Sequence, residues 1–124
     1  LIDDRPLPLK AGQIVIADWR GDALPKEPNK MRPAVVVEDD ELFSPIYDNV
    51  ILVPLTSDEA LVIKHLSVEI VPTLENGCKT ICWAASHLVA TTSKARVRQT
   101  GSCVTTSQLG TIRRQIALAI GFTA

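Results

Sequence analysis

Aromatic residues are scarce in this chain, at 4% of 124 residues, so ring stacking cannot build its interior. Valine, isoleucine, leucine and alanine must fill the core instead. Long apolar runs are missing too. The best candidates, residues 50–55 and 116–120, fall far short of the ~20 residues that a membrane-spanning helix requires. Net charge is close to nil, with 13 basic residues against 14 acidic ones giving −1. Proteins dedicated to duplex DNA are usually strongly basic, so that class is disfavoured while a local basic site stays open. There are only 3 cysteines, Cys78, Cys82 and Cys103. The count is odd, and C-x3-C differs from the C-x-x-C spacing of zinc and redox motifs. Buried or idle thiols in a reducing compartment are therefore expected. His65 and His87 are far apart and have no neighbouring ligand residue, so no metal site is expected. Gly-rich phosphate loops and G-x-S-x-G motifs are absent from the sequence, and no cofactor is expected. The first ten residues carry two Asp and two Pro instead of a secretory h-region, which points to the cytoplasm.

What is there reads as an ordinary globular chain, 46% hydrophobic and 22% charged. One domain spanning 1–124 is expected, with an irregular lead-in over residues 1–9. Ile14, Val15, Ile16, Ala17 and Trp19 form a short β-branched run suited to a buried strand. Residues 20–31 hold Gly21, Pro25, Pro28 and Asn29 among charges and read as a long loop, a length that is uncommon unless functional. Pro33 then opens a second strand over 34–37, and 50–55 forms a third in which Pro54 suggests a bulge or an edge. Residues 65–71 alternate weakly, residues 80–85 and 87–90 supply one or two further strands, and Val97 lies in another. Thr105 followed by Gln108 fits a capping box, and Leu109, Ile112, Ile116 and Ile120 recur at helical spacing as far as Gly121. The pattern predicts five to seven strands and an amphipathic C-terminal helix over 105–121. A mainly β domain follows, a small β-barrel capped by that helix.

Several residues admit a chemical reading beside a plainer one. Arg32 precedes Pro33, which restricts its backbone to extended geometry and fixes where the guanidinium stands. It could grip a phosphate through two parallel hydrogen bonds, or it could pair with the acidic run 38–41 as an ordinary surface residue. Thr56 and Ser57 leave the third strand beside Asp58, where hydroxyls can donate to a phosphate oxygen or merely close a turn. Glu27 lies in the long loop with Lys26 and Lys30, where exposed carboxylates usually do no chemistry. Lys94, Arg96 and Arg98 alternate, so on a strand they share one face. That row could track a single-stranded backbone, or it could protect an edge strand from aggregation.

Taken in order, these features resemble the MazF/PemK family of toxin endoribonucleases from type II toxin–antitoxin systems. The matching pieces are Gly12-Gln13-Ile14-Val15 with Asp18, the stretch from Glu27 through Arg32-Pro33-Ala34-Val35-Val36-Val37, and Val53-Pro54-Leu55-Thr56-Ser57. The likeness runs from about Lys10 to Gly121. It implies an SH3-like small β-barrel of the CcdB/MazF/Kid type with a terminal helix, and a homodimer. It also implies cleavage of single-stranded mRNA without a metal, the 2′-hydroxyl attacking the adjacent phosphate, and a cognate antitoxin as partner. By position, Arg32 matches the family's catalytic arginine, Thr56 the hydroxyl residue beside it, and Glu27 a loop glutamate proposed for proton transfer. Ser57 would contact substrate nearby, and Lys30, Lys94, Arg96 and Arg98 would bind the RNA strand. Because arginine's pKa is too high for an easy base, Arg32 is assigned to charge stabilisation and Glu27 to proton transfer. The chain departs from the family pattern at Gln13, Pro28, Ala85-Ser86 and Leu88, where an acidic residue, a Gln, an Asp-Gln pair and a basic residue are usual. A non-catalytic module on the same barrel is the alternative, binding only its antitoxin or poisoning gyrase as the CcdB branch does. The terminal Gly121-Phe122-Thr123-Ala124 lacks the Trp-Gly-Ile ending expected for gyrase poisoning.

Overall fold

Runs of β-branched and aliphatic residues make the central strands, and the one long 3.6-residue periodicity makes the helix; the described residues hold seven strands and one α-helix. The computed structural model describes residues 8–18 and 31–123. In chain order the elements are β1 (Gln13–Asp18), β2 (Met31–Val36), β3 (Asn49–Thr56), β4 (Ser67–Ile70), β5 (Cys82–Ala85), β6 (Ala90–Ser93), β7 (Val97–Cys103) and α1 (Thr106–Ala119). Short 3-10 turns lie at 59–61, 86–88 and 94–96. All strand pairs are antiparallel. The order across the sheet is β4-β5-β3-β2-β1-β7, with β6 also paired to β3, a barrel-like sheet that among the described residues is not closed between β4 and β7.

The period-2 alternation divides the interior into two clusters. Ile14, Val35, Val53 and Leu55 face Leu109 and Ile112 of α1, while Val15, Ala17, Ala34, Val36, Val50 and Leu52 fill the other side with Val97. Every one of these side chains is buried, and Ile112 is wholly so, fixing the helix to the sheet. Burial of each such aliphatic side chain favours the fold by about 1.5–3 kcal/mol.

β3 has two partners along one edge. Asn49–Leu52 pair with β6 and Leu55–Thr56 pair with β5, leaving Val53 and Pro54 between the two. Pro54 is fully buried in this interior strand, not at an edge, and it stands at the handover where the missing N–H costs least. Pro33 is the third residue of β2 rather than the first, paired to Ile16 of β1. The β2–β3 pairing stops at Ala34↔Pro54, next to both prolines.

The segment 87–90 is not a strand throughout: His87 sits in a 3-10 turn, and β6 starts at Ala90. His65 also lies outside β4, with a positive φ of 71°. The helix matches its sequence signals closely. Thr105 Oγ1 accepts from the Gln108 N–H at 3.0 Å and Gln108 Oε1 accepts from the Thr105 N–H at 2.9 Å, closing the capping box. At the other end, Gly121 adopts φ +89°, and the Gly121 and Phe122 N–H groups donate to the carbonyls of Leu118 and Ala117. That is the Schellman pattern. The polar face of α1 is also bonded to the sheet side: Arg113 donates to the Val37 and Glu38 carbonyls, each at 2.9 Å. No helix among the described residues is long and apolar enough to cross a membrane.

Candidate active site

The Arg-Pro and Pro-x-Thr motifs lie on neighbouring antiparallel strands, and their register brings them together. Ala34 pairs with Pro54, and Arg32 and Thr56 each follow two residues beyond that pair, at the same end of the ladder. Neither Pro33 nor Pro54 can donate a ladder hydrogen bond, and the pairing ends there. Beyond this end lies a cleft of about 490 Å³ lined by Arg32, Pro33, Thr56 and Ser57. The loop 76–80, and Thr100 and Ser102 of β7, line it as well.

Arg32 is buried, 7% exposed, yet it lines this cleft. Burial pulls its guanidinium below the ordinary value, and the Asp58 carboxylate opposes that shift. A partly desolvated cation of this kind interacts more strongly with an anion than one in bulk water. Thr56 is buried as well, and its Oγ1 accepts the Asp58 N–H at 3.0 Å. The turn reading of Thr56 is thus realised, and it leaves the hydroxyl proton available for a second partner. Ser57, exposed, follows on the same rim.

The lining loop is built by Asn76, which is buried at 4% exposure. Its Oδ1 accepts from the N–H groups of Thr73 and Cys78, and its Nδ2 donates to the Val71 carbonyl at 2.9 Å. Gly77 has φ +64°, and a Cβ there would lie 2.7 Å from Ser102 Oγ, so the loop packs tightly on β7. Lys79 and Thr80 complete this wall. Sequence reasoning missed both, because a lysine after Asn-Gly in a turn carries no signal of its own. Cys78 and Cys82 also line the cleft, with their Sγ atoms 3.7 Å apart. Burial, and then the neighbouring Cys78, push the Cys82 thiol up to about 12.

The remaining predicted residues fare differently. Glu27 and Lys30 lie outside the described residues. Lys94, Arg96 and Arg98 do not form one row, because residues 94–96 make a 3-10 turn instead of a strand. Lys94 is buried beside a separate hollow that includes Glu38 and Asp40, away from the cleft. Arg96 and Arg98 are exposed and border a shallow depression with Asp18 and Met31, and Met31 also borders the main cleft. Ala85 and Ser86 are buried, and the Ser86 hydroxyl donates to Gln115 Oε1 of α1 at 2.6 Å, so this pair serves helix packing. Gln13 Oε1 accepts from the Lys10 N–H at 2.8 Å, closing the turn into β1. Among the described residues no group of three or more His, Cys, Asp or Glu comes together as a metal site would require.

Residues 10–120 match the family described as the PemK-like, MazF-like toxin of type II toxin–antitoxin systems. No curated protein matches by sequence. Several solved structures share the fold. The Mycobacterium tuberculosis toxin MazF-mt6 is 18% identical with a TM-score of 0.70, covering 90% of this chain and 99% of that one. MazF from Deinococcus radiodurans is 18% identical with a TM-score of 0.69, covering 92% and 97%. An endoribonuclease in complex with its cognate antitoxin, from a mycobacterial species, is 16% identical with a TM-score of 0.71, covering 94% and 98%.

Proposed function

Because the chain belongs to the family of PemK-like, MazF-like toxins of type II toxin–antitoxin systems, we propose that it is a single-domain, cytoplasmic endoribonuclease that cuts single-stranded RNA without a metal. The observation that carries this reading is the shared cleft: Arg32, Thr56 and Ser57 come from separate motifs and line one groove.

The chemistry follows from what each group can hold. The ribose 2′-oxygen attacks the neighbouring phosphorus, the bond from phosphorus to the 5′-oxygen breaks, and the products are a cyclic phosphate and a 5′-hydroxyl. Negative charge grows on the non-bridging oxygens along the way, so preorganised donors lower the barrier most. Arg32 supplies a fixed positive charge with donors for two oxygens. The Thr56 hydroxyl, its oxygen already occupied by the Asp58 N–H, donates to the same phosphate. Glu27 takes the proton from the 2′-hydroxyl and returns it to the departing 5′-oxygen, and Ser57, with Lys79, orients the strand. Arg96 and Arg98 extend the path past Met31, and Lys30 adds a further positive charge for the strand.

The protein acts as a homodimer held in check by a cognate antitoxin. A similar endoribonuclease solved with its antitoxin supports that partnership. The test is direct. Purified protein is expected to cut single-stranded RNA in EDTA, leaving cyclic phosphate ends. Intact RNA under those conditions, with folded protein, would favour the non-catalytic module instead.

A further inference from the structure

Two thiols stand in the wall of the cleft, and nothing in the proposed chemistry uses them. Cys78 Sγ and Cys82 Sγ are 3.7 Å apart, about van der Waals contact, whereas a disulfide needs about 2.05 Å. We propose that Cys78 and Cys82 form a dithiol oxidation site, a peroxide converting them to a disulfide that reshapes the cleft wall and suppresses RNA cleavage. The effect on cleavage rests on the nuclease reading, while formation of the disulfide does not.

The atoms balance with hydrogen peroxide as the oxidant. The half-buried Cys78 sulfur attacks one peroxide oxygen, the O–O bond breaks, the departing hydroxide takes up the Cys78 proton as the first water, and Cys78 becomes a sulfenic acid. The Cys82 sulfur then attacks the Cys78 sulfur and expels hydroxide, which takes up the Cys82 proton. Two thiols and one peroxide give one disulfide and two waters. The order of attack follows from exposure, since Cys82 is buried and its thiol holds its proton.

The consequence for the cleft comes from how the two ends are anchored. The Cys78 N–H donates to Asn76 Oδ1 at 2.9 Å, and Asn76 is itself tied to Val71 and Thr73. Cys82 is held by its pairing with Ile70 in β4. Closing the sulfurs by roughly 1.7 Å must therefore be absorbed by residues 79–81 between them. Lys79 and Thr80, which line the same cleft as Arg32 and Thr56, lie in that segment. A misplacement of about 1 Å in a positioning group can cost two orders of magnitude in rate.

The experiment treats the reduced full chain with hydrogen peroxide, maps cross-links by mass spectrometry, and compares RNA cleavage before oxidation, after it and after re-reduction with dithiothreitol. A Cys78–Cys82 cross-link, a fall in cleavage of roughly tenfold or more and recovery on reduction are expected. The ratio of oxidised to reduced activity is expected near one in both Cys78→Ser and Cys82→Ser, and as low as wild type in Cys103→Ser. Cross-links through Cys103 alone, or an oxidised protein cutting at the reduced rate, would overturn the proposal. Reduced protein that leaves RNA intact would overturn the nuclease reading alone, since the cross-link is read by mass.

Discussion

Arg32 and Thr56 each lie two residues beyond Ala34 and Pro54, the last pair of the β2–β3 ladder, and so belong to the same open end of it. The relationship depends on register, and both side chains line the same cleft.

Arg32→Ala is expected to lower RNA cleavage by about 10²–10³-fold while circular dichroism stays unchanged. Arg32→Lys is expected to fall between, because an ammonium keeps the charge but not the two parallel donors. Single-turnover cleavage rates check both. Cleavage by Arg32→Ala at the wild-type rate would remove the guanidinium from the mechanism.

Thr56→Val retains the shape but removes the hydroxyl, so the Asp58 N–H loses its acceptor and the phosphate loses a donor. Cleavage is expected to drop by about 10²-fold. Thr56→Ser, which restores the hydroxyl, is expected to recover most of it. If Ser and Val behave alike, the hydroxyl has no part in the reaction.

Stability should fall at alkaline pH through Cys82. The folded chain holds this thiol's proton up to about 12, whereas an unperturbed thiol releases it near 9.0. Below the lower value both states are protonated, and this group contributes no slope. Above it the unfolded chain ionises first, so the unfolded state gains and stability declines as pH rises through the window. Urea midpoints measured across that range should fall more steeply for wild type than for Cys82→Ala.

Gly77→Ala places a methyl where Ser102 Oγ would be 2.7 Å away, on a residue with φ +64°. The left-handed backbone alone costs about 1–2 kcal/mol. Ser102→Ala in the same chain should relieve the crowding but not the backbone cost. Thermal melts of the two single variants and the double variant separate the terms.

How far these features can be read in the sequence varies with the physics behind them. The helix was legible down to its caps because Thr105, Gln108 and Gly121 act on their own turns. The strands around Ile14, Val35 and Val53 followed from their β-branched alternation. Pro54 was misleading, since this interior strand tolerates it where its partner changes from β6 to β5, a property of the whole sheet. The triplet Lys94, Arg96 and Arg98 failed for a similar reason: Ser93 accepts from the Ala95 N–H and turns the chain, breaking the two-residue period. The resemblance led to Arg32 and Thr56, but the cleft wall of Asn76, Gly77 and Lys79 depended on packing against β7. Glu27 and Lys30, which the resemblance also picked out, lie outside the described residues.

β3 carries Thr56 and is also the strand on which both halves of the sheet are hung, bonded to β2, β5 and β6. Amide hydrogens there should be among the slowest to exchange with deuterium, close to the limit set by complete unravelling of the chain. A protease nibbling at looser parts of the molecule therefore could not blunt this hydroxyl by degrees. That end of the strand keeps its shape until the entire domain comes apart.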